Sequence, residues 1–357
     1  MAFHDLKILA VRPQGGDAVA ITFDVPGDAA DKFHFTPGQY LTLRAEIGGE
    51  DVRRSYSICS PRKSGRLEVG IRAIEGGRFS GFASALKPGD MLKVMPPEGR
   101  FVVAPGGGGH DYLLIAAGSG ITPMLSIAAS VLEEEPESQV TLIYGNRTTN
   151  SIMFREELEE LKDRYLDRFQ LLHVLSREDQ DVPMLNGRID AEKLRVYAEK
   201  GIIAPASHDG IYICGPGDMT ELAAATMREL GAPDSRIHME LFTPAEGSLP
   251  SASERAAKAV TASGQVEVET ILDGTRRRFT MDGTKQTVLE AAHEAGVELP
   301  FSCAGGMCCT CRCRVSEGKA EMDVNYSLEP WELEAGFVLA CQSRPHSEKI
   351  ILDFDAV

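Results

Sequence analysis

Apolar and polar positions alternate in short runs through about the first hundred residues: Val19–Phe23, Tyr40–Leu43, Leu67–Ile71 and Met91–Val94. Pro26-Gly27, Pro37-Gly38 and Pro88-Gly89 punctuate these runs. Short alternating strands divided by Gly and Pro turns predict an antiparallel barrel. A single helix signal interrupts them, around Ser80–Leu86. Pro105 and the four glycines after it read as a flexible hinge. Beyond it the pattern changes to apolar strand runs alternating with helical runs. The strands are Tyr112–Ala116, Val140–Tyr144, Phe169–Val174 and Gly210–Cys214; the helices are Met124–Glu134 and a run near Met153–Tyr165. Such alternation predicts a parallel α/β sheet with nucleotide-binding loops at its strand ends. Residues 243–264 are small, polar and weakly patterned, and read as a linker. After them come strand runs Gln265–Leu272 and Arg276–Thr280, then an amphipathic helix, Thr287–Ala295. The predicted domains are 1–104, 110–243 and 265–357, joined by a linker at 244–264.

Composition narrows the class. A chain of 357 residues has room for two or three domains, each with its own core. Acids outnumber bases 53 to 37, a formal charge of -16, which argues against nucleic acid as a partner. With 43% apolar and 25% charged residues the chain is of ordinary globular type. No apolar run approaches the ~20 residues that span a bilayer, and the N-terminus lacks the pattern of a secretory signal. The expectation is therefore a cytoplasmic protein with no membrane segment.

Five of the eight cysteines lie between 303 and 313, which is poor geometry for disulfides and good geometry for a metal. Cys303, Cys308 and Cys311 are spaced C-x4-C-x2-C, and Cys341 follows after 29 intervening residues, the spacing of a plant-type [2Fe-2S] site. Gly305 and Gly306 let the backbone wrap closely, with amide N–H groups and Ser302 as hydrogen-bond donors to an anionic cluster. The alternative is a structural zinc site, although zinc more often uses paired C-x2-C units and only one is present. Cys309 and Cys313 read as small residues directed away from the metal. His293 reads as a solvent-face residue of its helix.

Three further motifs carry chemistry. Arg54-Ser55-Tyr56-Ser57 offers a planar cation for a pyrophosphate, a ring for stacking and a hydroxyl for a ring nitrogen. A surface strand with an arginine is the alternative. Gly76-Gly77-Arg78-Phe79-Ser80 begins a short helix whose N–H groups suit phosphate. Ala117-Gly118-Ser119-Gly120-Ile121-Thr122-Pro123 follows a strand and opens a helix, with glycines that admit a pyrophosphate close to the backbone. The segment Tyr144–Arg155 offers Arg147, Ser151 and Arg155 with no acid before Glu156, which suits a 2′-phosphate and predicts NADPH, with NADH left possible.

These segments resemble the ferredoxin-NADP reductase family, with residues 263–357 similar to a plant-type ferredoxin. Gly118–Pro123 matches the family's G-x-G-x-x-P loop, Cys214-Gly215-Pro216-Gly217-Asp218-Met219 its C-G-P-x-x-M element, and Met239–Phe242 its closing E-x-aromatic element. The resemblance implies a FAD-binding β-barrel, an NADP-binding parallel-sheet domain and a β-grasp-like ferredoxin domain. It implies that Arg54, Gly77 and Ser80 bind the FAD pyrophosphate, that Tyr56 stacks on the isoalloxazine and that Ser57 lies near N5. Gly118, Gly120, Thr122, Pro123, Gly215 and Pro216 would bind the pyridine nucleotide. Cys214 and Glu240 would lie beside the nicotinamide, and Phe242 near the flavin. A buried structural role is the alternative for Cys214, and mere packing for Phe242. Arg53 and Arg78 read as additional or solvated cations. The order FAD, nicotinamide, C-terminal ferredoxin is that of reductase components of multicomponent oxygenases. It implies one-electron delivery to an oxygenase partner, and a monomer that docks transiently is the default expectation.

Overall fold

A computed structural model describes residues 3–243 and 252–356, in two compact units. In the first unit, β1 (His4–Gln14), β2 (Ala18–Asp24), β3 (Tyr40–Ile47), β4 (Glu50–Ser57), β5 (Leu67–Arg72) and β6 (Met91–Val94) form one antiparallel sheet in the order β4-β3-β6-β1-β2-β5. Just past β4, Ile58 bridges Val69 of β5, so the first and last strands in that order meet and the sheet curls closed. Leu6, Ile8, Ile21, Leu41, Leu43, Val69 and Ile71 face inward and are fully buried or nearly so. The short helix α1 (Arg78–Ala83) lies beside β3, β4 and β5, with Phe79 buried.

The second half of this unit is a parallel sheet of β7 (Asp111–Ala117), β8 (Gln139–Asn146), β9 (Phe169–Leu175), β10 (Gly210–Pro216) and β11 (Ile237–Thr243). Helices α2 (Ile121–Glu134), α3 (Arg155–Arg164), α4 (Ala191–Glu199) and α5 (Gly217–Glu229) connect the strands. The strand order is β11-β10-β7-β8-β9. The chain runs outward from β7 to β9 and then returns to the other side of β7, so the order reverses between β7 and β10. Ligands in open α/β sheets bind outside the carboxyl ends of strands at such a reversal. α2 is buried on nearly every side, consistent with its run of Ile, Leu, Met and Ala.

The two predicted domains of this half pack as one compact unit. The glycine run between them is not a free hinge. Gly106 N–H donates to Glu135 Oε1 at 2.8 Å, and His110 N–H donates to Ser138 Oγ at 2.9 Å. Gly107, Gly108 and Gly109 all have positive φ, which explains their composition better than flexibility does. Ser126 Oγ donates to the carbonyl of Ser60 at 2.8 Å, Arg12 pairs with Glu157 at 3.0 Å, and Arg62 pairs with Glu134. These contacts fix the barrel against the parallel sheet.

The second unit opens with α6 (Ala252–Thr261), inside the stretch read as linker; residues 244–251 of that stretch lie outside the described residues. Lys258 Nζ donates to the carbonyls of Met322 and Asp323, so the helix belongs to this unit rather than hanging between domains. β12 (Gln265–Leu272), β13 (Thr275–Asp282), helix α7 (Val288–Glu294), β14 (Arg312–Glu317), β15 (Ala320–Met322), α8 (Pro330–Glu334), β16 (Phe337–Leu339), β17 (Ser343–Pro345) and β18 (Lys349–Asp353) follow. The main sheet runs β13-β12-β18-β14-β16, with β12 and β18 parallel and its other neighbours antiparallel. α7 begins with the reciprocal cap of Thr287 and Glu290 and buries Val288, Leu289, Ala291 and Ala292. His293 is exposed, as expected for the outer face. Among the described residues no helix is long and apolar enough to cross a membrane.

Candidate functional site

The two glycine loops of the parallel sheet meet where the strand order reverses. A Cβ on Gly120 would lie 2.2 Å from the carbonyl oxygen of Cys214 and 2.9 Å from the nitrogen of Gly215. Only glycine permits that approach. Gly118 has φ +57, and its carbonyl accepts the Tyr144 hydroxyl at 2.9 Å, which ties the loop to β8. Thr122 and Pro123 are buried in the first turn of α2, with Thr122 Oγ1 donating to the carbonyl of Ser119 at 3.0 Å. Gly215 is buried and Pro216 exposed at the start of α5.

Cys214 is fully buried and faces Glu240 in the pairing of β10 with β11. Burial pushes its thiol well above the ordinary range, and the Glu240 carboxylate pushes it further. Glu240 also crosses to the barrel, where the Ser57 hydroxyl donates to Glu240 Oε2 at 3.2 Å. Desolvation raises the Glu240 carboxyl to about 7, against a smaller lowering by that hydrogen bond. The structure thus brings Ser57, Cys214 and Glu240 together from positions far apart in the chain. Phe242, two residues beyond Glu240, is half-buried against the core of the parallel-sheet half.

Arg54, Tyr56 and Ser57 lie within β4 rather than after a strand, so side chains alternate between its faces. Arg54 is exposed, with Nη1 donating to its neighbour's carbonyl at 2.7 Å. Tyr56 is half-buried, its ring 5.7 Å from that of Phe79, and desolvation raises its phenol. Arg53 is only 7% exposed and pairs with Asp51 at 3.1 Å, a structural role. Arg78 pairs with Glu50 at the surface and donates to the carbonyl of Ile47 at 2.7 Å. Gly77 caps α1, where a Cβ would meet Ser80 Oγ at 2.4 Å. Ser80 is buried, its hydroxyl accepting from Ile74 N–H at 3.3 Å.

In the loop after β8, Arg147 is exposed. Ser151 closes the loop reciprocally with Thr148, donating to its carbonyl at 2.7 Å and accepting from its N–H at 3.0 Å. Arg155 pairs with Glu159 at 2.7 Å. The local sequence window contains no acid, yet the fold adds one. Glu178, beyond β9, reaches Thr149 in the middle of this loop. Arg72 of the barrel also reaches the loop, its Nη2 donating to the carbonyl of Ser151 at 2.6 Å. Neither residue has a motif of its own; Glu178 is delivered by sheet register and Arg72 by packing of the barrel against the loop.

The cysteine loop lies in the second unit. The thiols of Cys303, Cys308, Cys311 and Cys341 lie close enough together to shift one another's ionisation. Gly305 N–H donates to Cys303 Sγ at 3.3 Å and Cys303 N–H to Cys308 Sγ at 3.5 Å. Ala304, Gly306 and Cys309 all have positive φ, so the chain winds tightly here. Ala340 N–H donates to the Cys311 carbonyl at 3.0 Å, which brings Cys341 to the loop. Among the described residues no three His, Cys, Asp or Glu side chains converge on one ion position. Four cysteine thiolates with backbone N–H donors around them are the ligand set that a plant-type [2Fe-2S] cluster requires. Cys313 is buried in the core, and Cys309 Sγ donates to Ser327 Oγ at 3.0 Å.

An antiparallel barrel, a parallel sheet with glycine loops at its reversal and a four-thiol site define a flavin- and iron-sulfur-dependent reductase. Family models agree along the chain: an oxidoreductase FAD-binding domain at residues 8–103, an oxidoreductase NAD-binding domain at 114–225 and a 2Fe-2S iron-sulfur cluster binding domain at 270–346. The chain belongs to the ferredoxin-NADP reductase family, in the form that carries a C-terminal ferredoxin domain, and is an NAD(P)H-dependent oxidoreductase using FAD and a [2Fe-2S] cluster. It is 45% identical over 356 residues to one component of the 1,2-phenylacetyl-CoA epoxidase of Escherichia coli K12, covering 99% of this chain and 98% of that protein. It is 34% identical over 359 residues to the ferredoxin reductase component of a 3-ketosteroid-9-alpha-monooxygenase from Rhodococcus rhodochrous, covering 98% and 96%. Phthalate dioxygenase reductase shares the fold at TM-score 0.59 and 22% identity, covering 99% of this chain and 98% of its own.

Proposed function

We propose that this chain is the reductase that supplies electrons to a phenylacetyl-CoA 1,2-epoxidase, drawing them from NADPH. The observation that carries the partner is the identity to the epoxidase component, 45% end to end, against 34% for the ketosteroid reductase, the second reading. The segments Gly76–Ser80 and Asn325–Pro345 carry the same resemblance.

Bound FAD and cluster supply hydride acceptance and one-electron release, respectively. The chain's own residues position and tune. Arg54, Gly77 and Ser80 would hold the FAD pyrophosphate; Tyr56 would stack on the isoalloxazine, with Phe242 near the flavin. Gly118, Gly120, Thr122, Pro123, Gly215 and Pro216 line the dinucleotide path at the strand reversal. Ser57, Cys214 and Glu240 form the polar edge of the hydride-transfer site, with Glu240 able to hold or release a proton near neutral pH. Arg147, Ser151 and Arg155 receive the 2′-phosphate. Cys303, Cys308, Cys311 and Cys341 would hold the cluster.

Reconstitution tests the partner. The purified reductase is mixed with the epoxidase's oxygenase component, or with a ketosteroid oxygenase, and NADPH-dependent product formation is measured. Turnover of phenylacetyl-CoA supports the assignment. Turnover of the steroid alone overturns it in favour of the second reading.

A further inference from the structure

The loop after β8 already holds an anion supplied by the chain itself. One oxygen of Glu178 accepts the Thr149 N–H at 2.7 Å, and the other accepts the Thr149 hydroxyl at 2.6 Å. The sheet makes this contact possible. Pairing of β9 with β8 continues past the strand ends, Ser176 N–H donating to the Asn146 carbonyl at 3.0 Å and Arg177 N–H to the Arg147 carbonyl at 2.8 Å. That register sets Glu178 level with Thr149. The Thr149 donors hold its carboxyl below the usual range, with a smaller contribution from Arg155.

We propose that Glu178 is a specificity-determining residue of the pyridine-nucleotide site: its carboxylate takes the Thr149 donors that a 2′-phosphate would recruit. The inference rests on the reading that residues 147–155 receive the 2′ end of the nucleotide. An N–H, a hydroxyl and nearby guanidinium groups are what a phosphate monoester recruits. A carboxylate on two of those donors competes for them and repels a second anion alongside. A free 2′-hydroxyl can instead donate to a carboxylate. Glu178 therefore opposes Arg147 and Arg155, handicapping NADPH and favouring NADH. The chain's preference is the balance between them.

The test uses the holoenzyme and two probes of the adenosine end, 2′,5′-ADP and 5′-AMP, as competitive inhibitors of pyridine-nucleotide-driven ferricyanide reduction. In Glu178→Gln and Glu178→Ala the ratio of inhibition constants should move in favour of 2′,5′-ADP, by about tenfold, the effect of ~1.4 kcal/mol. A ratio within about twofold of wild type in both variants overturns the proposal. Arg147→Ala and Arg155→Ala separate the two levels of the argument. If these lower 2′,5′-ADP affinity while the Glu178 variants do nothing, only the role of Glu178 fails. If the arginine variants also leave the ratio unchanged, the loop does not receive the 2′ end and the underlying reading fails with it.

Discussion

Replacing Glu240 with glutamine removes the charge of a carboxyl that joins the barrel to the parallel sheet while keeping its shape and its acceptor for Ser57. Burial raises this group from the ordinary 4.5 to about 7. The sign follows from the raised value. Between those two pH values the folded chain keeps the proton and the unfolded chain has lost it, so stability falls as pH rises. The contribution is whole below about 4.5 and gone above about 7. At ~1.36 kcal/mol per unit the wild-type loss is about 3 kcal/mol, an upper bound because the half-buried residue is partly screened by water. The glutamine stays neutral and loses nothing. For a unit of this size each kcal/mol moves the melting temperature by roughly 2–4 °C, so the variant should melt roughly 5–10 °C above wild type at about pH 8 and level with it at about pH 4.5. Flavin fluorescence on heating the holoprotein reports melting of this unit. Wild-type and variant curves that run parallel across that range would refute the raised carboxyl of Glu240.

Gly120→Ala would drive a Cβ to 2.2 Å from the Cys214 carbonyl and force the two glycine loops apart, so kcat/KM for the pyridine nucleotide should fall by about a hundredfold while FAD stays bound. Cys311→Ser should abolish the visible absorption of the cluster and turnover by the oxygenase, yet leave nucleotide-driven ferricyanide reduction in place; Cys309→Ser should keep the cluster. Arg54→Ala should raise the loss of FAD on gel filtration by about tenfold or more, through loss of a charge-assisted phosphate contact. Residues 263–357 hold 16 acids and 9 bases, so electron transfer to the oxygenase should slow as salt rises from about 0.05 to 0.5 M, measured by stopped flow.

The legibility of the chain varies with the range of the interaction involved. Buried strands such as Tyr112–Ala116 and Val140–Tyr144 declare themselves because both faces are covered and the runs are apolar throughout. The cysteine spacing declares the cluster because thiols close in sequence must be close in space. β4 does not read as a strand because EDVRRSYS is mostly polar; it exists through its pairing with β3. α6 is hidden in a segment of small residues, although Ala, Glu and Lys favour helix, and it is held by Lys258 on the ferredoxin unit. Glu178 and Arg72 cannot be read locally. They reach the loop after β8 through sheet register and barrel packing from 29 and 79 residues away. The same reasoning explains why the Gly106–Gly109 run misleads: its composition reflects positive φ, and its tethers, Glu135 and Ser138, lie well downstream.

The proposed relay takes electrons from the nicotinamide through the flavin to the cluster. Anaerobic titration of the holoprotein with NADPH, followed by optical and electron paramagnetic resonance spectra, counts them. Two electrons on FAD and one on the [2Fe-2S] cluster require about 1.5 equivalents, and the spectrum of the reduced cluster should appear and then vanish when oxidised oxygenase is added. Full flavin reduction with the cluster left oxidised, and oxygenase turnover proceeding nonetheless, would contradict the relay.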